Sequence, residues 1–131
     1  TNENRNALTT ASIARVFEAL MTMELLSPKA SERIKGYLSR SLNIIERKKN
    51  PENQIDGFLG EGLPQSANIW SKAGWMSEVR HDAAWWTNED KKPILAIVFT
   101  QGKVLSRDTF LLPAIANELN NFKEQEQVEI S

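Results

Sequence analysis

The sequence predicts an α+β fold: a helical hairpin plus a three-stranded antiparallel sheet and a C-terminal helix, with the helices packed on one face of the sheet. Three observations carry this. Apolar residues recur with helical spacing over residues 13–42, the period shortens to that of strands over residues 67–100, and helical spacing returns at residues 111–122. A Gly- and Pro-rich stretch separates the first two. The 131 residues read as a single domain or a fragment of one, divided into a helical hairpin (8–46), a loop (47–66), strands (67–101) and a helix (106–123).

Residues 1–10 are polar and read as a lead-in without the features of a signal peptide. The chain starts with Thr1 and not Met, which suggests that upstream material belongs to the parent protein. Ile13, Val16, Phe17, Leu20 and Met21 then form one buried helical face, with Thr9 or Thr10 as the cap. Ser27 is a good N-cap for a second helix, and Pro28 suits the first helical position, where its missing N–H leaves no bond unmade. The apolar stripe of that helix is Ala30, Ile34, Leu38 and Leu42. Glu46 to Gln65 reads as one long loop: a basic run, Arg47-Lys48-Lys49, ends at Pro51, and Gly57, Gly60, Gly62 and Pro64 follow. The basic run reads as a solvated connector, although loops of this length are often functional.

Strand candidates are residues 67–74, 82–86 and 93–100, the last buried on both faces. Asn88-Glu89-Asp90 supplies turn chemistry between the second and third, so the simplest topology is a meander. Leu111, Leu112, Ile115, Leu119 and Phe122 mark the last helix. Ser106 or Asp108 can cap it, Pro113 sits near its start, and Glu118-Leu119-Asn120 reads as helix surface. From Lys123 the chain is acidic and polar and reads as a frayed tail.

Composition bounds the function. The chain is 40% hydrophobic and 25% charged with a formal net charge of -1, so it can bury a core and carries no global attraction for nucleic acid or an anionic membrane. No apolar run is long enough to span a bilayer. The absence of Cys excludes disulfide and thiolate chemistry, a single His without partners makes no zinc site, and no cofactor is called for.

The chemistry concentrates between Trp70 and Trp86. In Ser71-Lys72-Ala73-Gly74-Trp75, a lysine at a strand end stands beside backbone that Gly74 leaves approachable. An edge strand also offers free N–H groups to a carbonyl oxygen or a developing oxyanion. Such a site suits an anionic, amide-like ligand, although Lys-small-Gly also arises by chance as an ordinary strand end.

The order of motifs adds to this. Lys72-Ala73-Gly74-Trp75 followed by Val79-Arg80-His81-Asp82-Ala83-Ala84 resembles the Lys-Thr/Ser-Gly box and next strand of class A β-lactamase-related serine hydrolases, the penicillin-recognising family. Leu8-Thr9-Thr10-Ala11, Leu25-Leu26-Ser27-Pro28, Gly62-Leu63-Pro64 and residues 94–100 and 111–119 extend the resemblance over residues 8–119. It implies that the chain is the C-terminal part of such a protein, with a β-lactamase/transpeptidase-like fold. The family's upstream S-x-x-K nucleophile and S-D-N motifs are not in this sequence, where Ser31 has Lys35 one place too far.

The resemblance implies two catalytic roles here. Lys72 would hold the substrate carboxylate and tune the proton network, and the Trp75 N–H would supply one of two oxyanion donors. Ala73, Gly74, Arg80 and His81 would bind substrate, with Gly74 letting it lie along the strand. Ala73 departs from the family's Thr or Ser, and Ala has no hydroxyl for the β-lactam carboxylate; Arg80 or His81 could replace that contact. From the residues alone, His81 reads as a strand histidine with satisfied nitrogens more readily than as a base. Arg80 either pairs with Asp82 or points at substrate. Asp82 reads as structural, Trp70, Trp85 and Trp86 as packing, and Trp75 as lining a cleft.

The leading expectation is a parent serine hydrolase acting by acyl transfer on β-lactams or peptide-like amides, for which this chain alone would be inactive. The alternative is a non-catalytic ligand-binding or interaction module on the same scaffold, which Ala73 favours. The expected partners are a small-molecule or peptide-like substrate and either the missing N-terminal part or a second copy, with no nucleic acid and no membrane span. The resemblance implies a periplasmic or secreted protein.

Overall fold

The computed structural model describes residues 7–89 and 91–122. Helix α1 (Thr10–Met21) starts from a reciprocal cap. The Thr9 hydroxyl accepts from the Ser12 N–H (3.1 Å), and the Ser12 hydroxyl accepts from the Thr9 N–H (3.0 Å). Phe17, Leu20 and Met21 form its buried face. Helix α2 (Pro28–Leu38) opens on Ser27, whose hydroxyl accepts from the Ala30 N–H at 3.3 Å.

The helical stripe expected to reach Leu42 stops at Leu38. The chain turns extended to form β1 (Ser39–Arg40), and Leu42 enters a different part of the core. Arg40 supplies the reason. Its guanidinium gives two hydrogen bonds to the Ser71 carbonyl (3.1 and 2.8 Å), which hold this backbone beside the sheet.

The stretch read as one long loop contains a further helix, α3 (Ile44–Lys49). Asn43 Oδ1 caps it by accepting from the Ile45 and Glu46 N–H groups, and the basic run forms its last turn, where the dipole favours cations. Arg47 is not simply solvated, because it pairs with Asp56. A 3-10 turn follows at Leu59–Gly62.

Among the described residues the sheet has four strands, not three. Their order is β1, β2 (Asn68–Met76), β3 (Val79–Thr87) and β4 (Ile94–Val98), and all neighbours are antiparallel. The expected meander is thus present, with a short edge strand added from the helical hairpin. β2 and β3 pair from Asn68↔Thr87 to Met76↔Val79, so Ser77-Glu78 is a tight hairpin turn. Of the Asn88-Glu89-Asp90 turn, Glu89 has a positive φ of 53°, and Asp90 lies outside the described residues. So do residues 1–6 of the lead-in and the tail from Lys123.

The helices cover both faces of the sheet, which corrects the expected one-sided arrangement. On one face Ile69, Ala73, Ala84, Trp86 and Ala96 meet Leu42, Ile55, Phe58, Leu59 and Leu63, with Leu112 and Ala116 of helix α5 (Leu111–Asn121). On the other, Phe17 and Met21 of α1 meet Ala83, flanked by Trp70, Trp85, Leu95 and Ile97. Consecutive strand residues point to opposite faces, so adjacent Trp85 and Trp86 require a cover on each side.

Before α5 comes the short helix α4 (Lys103–Ser106). Neither expected cap holds the N-cap position of α5, which is Phe110; Asp108 stands two residues before it, and its Oδ1 accepts from the Phe110 and Leu111 N–H groups (2.8 and 3.1 Å). Ser106 instead donates to the Ser77 carbonyl (2.7 Å) and ties α4 to the hairpin. Pro113 stands in the first turn of α5, where a missing N–H is tolerated. Asn120 is not helix surface. It is buried, and its Oδ1 accepts from the Trp86 indole N–H at 3.2 Å. Helix α5 packs tightly on the 3-10 turn, because a Cβ on Gly62 would lie 2.0 Å from the Pro113 carbonyl oxygen.

Candidate binding cleft at the edge of β2

Strand β1 pairs with β2 only at Ile69 and Trp70. Beyond them the outer edge of β2 has no strand neighbour among the described residues. Backbone groups in a strand alternate sides, so residues 71, 73 and 75 turn their N–H and C=O groups to this edge. The Ser71 carbonyl accepts from Arg40. The Ala73 N–H donates to Gln54 Oε1 at 2.8 Å, and the Ala73 carbonyl accepts from Lys72 Nζ at 2.6 Å. The Trp75 N–H points the same way, and among the described residues it meets no acceptor outside the ladder.

This edge borders a cleft of about 390 Å³ between β2 and the loop after α3, lined by Gln54, Phe58, Lys72, Ala73, Trp75, Arg80 and Thr109 among others. Trp75 is 62% exposed, and its indole N–H is anchored on the Ser106 carbonyl at 2.7 Å. The Trp75 side chain thus forms part of the cleft wall. Ala73 lines the cleft too, although its side chain is otherwise buried in the core.

Arg80 lies opposite Trp75 in the ladder and is 5% exposed. Its guanidinium sits between the rings of Phe58 (4.9 Å) and Trp75 (5.1 Å). Nε donates to the Ser106 carbonyl (2.9 Å) and Nη1 to the Gly57 carbonyl (3.2 Å). Burial lowers its pKa from the ordinary arginine value, and the charge of Asp108 opposes that. Gly57 makes this approach possible: its φ is 79°, and a Cβ there would stand 2.9 Å from Nη1. Of the two alternatives for Arg80, pairing with Asp82 is not what the structure contains. The guanidinium is held by carbonyls at the cleft wall.

Asp82 is 1% exposed, and its Oδ2 accepts from the Leu59 N–H at 3.0 Å. It therefore pins the 3-10 turn to the sheet, the structural role expected of it. Among the described residues its Oδ1 has no hydrogen-bond partner. Burial raises its pKa to about 7, against the hydrogen bonds from the Leu59 and Ala83 backbone and the charges of Arg40 and Lys72.

His81 points to the opposite face. Its Nδ1 accepts from the Thr100 N–H at 3.1 Å and its ring lies 4.6 Å from that of Phe99, so the neutral ring carries its proton on Nε2. It borders an apolar cavity of about 460 Å³ under α1 together with Lys72 and Gly74. A Cβ on Gly74 would meet nothing within 4 Å, which leaves that strand surface open. The structure therefore divides the six residues singled out in the sequence. Trp75 and Arg80 meet at the cleft, Gly74 and His81 face the cavity, and Lys72 and Ala73 border both.

Sequence reasoning missed Gln54, Arg40 and Phe58. A glutamine in a long loop gives no periodic signal, and a lone Arg after an apolar stripe reads as surface. Among the described residues no group of His, Cys, Asp and Glu could hold a metal ion, and no helix is long and apolar enough to cross a membrane.

Solved structures of similar fold include β-lactamases, some of them class A, and the protein PBP-A. A β-lactamase from Xanthomonas campestris pv. campestris superposes with a TM-score of 0.69 at 22% identity, covering 88% of this chain and 40% of that one. An ancestral class A β-lactamase gives 0.67 at 21% identity, covering 88% and 42%. The protein PBP-A gives 0.64 at 18% identity, covering 82% and 37%. This chain thus spans about two fifths of the length of these structures. No curated protein sequence matches it significantly. The model of the β-lactamase enzyme family Beta-lactamase2 matches residues 1–122, and with nearly the whole chain accounted for, the protein belongs to that family.

Proposed function

We propose that this chain supplies the lysine-box strand of a class A β-lactamase-like serine hydrolase, which acts by acyl transfer on β-lactams or peptide-like amides and takes its nucleophile from another part of the protein. The observation that carries this reading is the open Trp75 N–H on an unpaired strand edge, beside the Lys72 ammonium and the Arg80 guanidinium. Attack on an amide carbonyl puts negative charge on its oxygen. A fixed N–H at that point stabilises the charge without reorganisation, and two such donors make an oxyanion hole. Trp75 would provide one and the nucleophile's own backbone the other. Lys72, exposed at the cleft mouth, would attract the substrate carboxylate. Arg80 would add positive potential from the wall, with its orientation fixed by two carbonyls. A periplasmic or secreted site of action belongs to the same proposal.

Acylation tests it. A labelled penicillin added to the parent protein should raise its mass by one penicillin. Trp75→Pro, which deletes the N–H, should slow acylation by a factor of about 10²–10³. A parent protein that takes up no label while its cleft still binds a carboxylate would instead support the non-catalytic module.

A further inference from the structure

Three donors converge on one atom at the cleft. Gln54 Oε1 accepts from the Ala73 N–H at 2.8 Å, from Arg40 Nη2 at 3.3 Å and from Lys72 Nζ at 3.5 Å. Only the oxygen of a carboxamide can face three donors, so the chemistry fixes the orientation of the group. The oxygen stands where a neighbouring strand would present a carbonyl, and β1 has already ended at Arg40. A loop side chain therefore completes the ladder for one more step and stops.

The consequence is a count of free donors. Without Gln54 the edge would offer two outward N–H groups, at Ala73 and Trp75. Two strand residues separate them by about 7 Å, the spacing of alternate carbonyls in an extended peptide. With Gln54 in place the Ala73 donor is taken and Trp75 stands alone. A compact amide needs one donor, whereas an extended peptide adding to the edge would use both.

We propose that Gln54 is a specificity-determining residue that closes the β2 edge at Ala73, and so favours a compact carboxylate-bearing amide over an extended peptide. This rests on the cleft being the binding site.

The experiment is amide exchange and chemical-shift mapping by NMR on the full chain, with benzylpenicillin as the compact probe and N-acetyl-trialanine as the extended one. Without ligand, Gln54→Ala should lower the protection of the Ala73 N–H at least tenfold and leave Lys72 and Gly74 unchanged. Gln54→Glu keeps an acceptor and should restore it. In the wild-type protein both probes should shift Trp75 but not Ala73. In Gln54→Ala the tripeptide should shift both and bind about two- to tenfold tighter, as expected for one added hydrogen bond, with benzylpenicillin unchanged. Ala73 protection that survives Gln54→Ala, or tripeptide affinity that does not change, would overturn the role of Gln54. If neither probe moves Trp75 in any variant, the cleft is not the binding site and the selectivity falls with it, even where the exchange data show Gln54 holding the Ala73 amide.

Discussion

Replacing Asp82 by Asn should make the protein more stable at neutral pH and leave it nearly unchanged in acid. The carboxyl is buried, one oxygen accepts from the Leu59 N–H, and the other meets no partner among the described residues. Its pKa stands at about 7 in the fold against an ordinary 3.8. The folded state therefore holds a proton that the unfolded chain has released, and stability falls as pH rises between those two values. At 1.36 kcal/mol per pH unit over about three units, ionising Asp82 in place costs on the order of 4 kcal/mol. The favourable contribution is complete below pH 3.8 and gone above about 7. Arg40 and Lys72 are the charges that oppose the rise. Asn carries no charge at any pH and fills the same space. Urea unfolding followed by tryptophan fluorescence from pH 4 to pH 8 should show the two proteins diverging as pH rises, with the Asn variant ahead and the gap levelling off above pH 7. Asp56 behaves oppositely: burial pushes it up, but hydrogen bonds from Asn53 and Arg47 and the Arg47 charge outweigh that and lower its pKa. Its stabilisation is lost as pH falls, and it cancels from the difference because both proteins contain it. A difference that stays flat across this range would refute the reasoning.

Gly62→Ala places a methyl 2.0 Å from the Pro113 carbonyl oxygen, so α5 must move off the 3-10 turn. The expected loss is at least about 2 kcal/mol, and a thermal melt within a few degrees of wild type would count against the tight packing. Trp86→Phe removes the indole donor that Asn120 uses and leaves space in a fully buried site, for a cost of about 2–3 kcal/mol. Combining it with Asn120→Ala should show a coupling of about 1 kcal/mol in a double-mutant cycle, and strict additivity would remove the hydrogen bond from the account.

The sheet and the main helices were legible because each signal was local. Thr9, Ser27 and Pro28 announce helix starts by capping chemistry, and β2, β3 and β4 stand out by period. What escaped depends on partners distant in the chain. β1 is two residues long and exists because Arg40 reaches Ser71. α3 lacks an apolar stripe and is held by Asn43 and by dipole-matched charges. Asn120 looks polar and exposed until Trp86 needs an acceptor. The division of the site also escaped. The sequence places Arg80 and His81 side by side, but strand alternation sends them to opposite faces.

The groups at the outer edge of β2 belong to the main chain, and that bears on how this family can diverge. A peptide N–H is supplied by every residue except proline, so the donor at position 75 survives almost any codon change that keeps the strand in register. The side chains at 73 and 75 are correspondingly free to serve other ends, as a core methyl and an indole resting on Arg80 do here. A change of side chain at position 73 therefore leaves the edge amides of β2 where they are, and side-chain chemistry and main-chain geometry can vary independently along this strand.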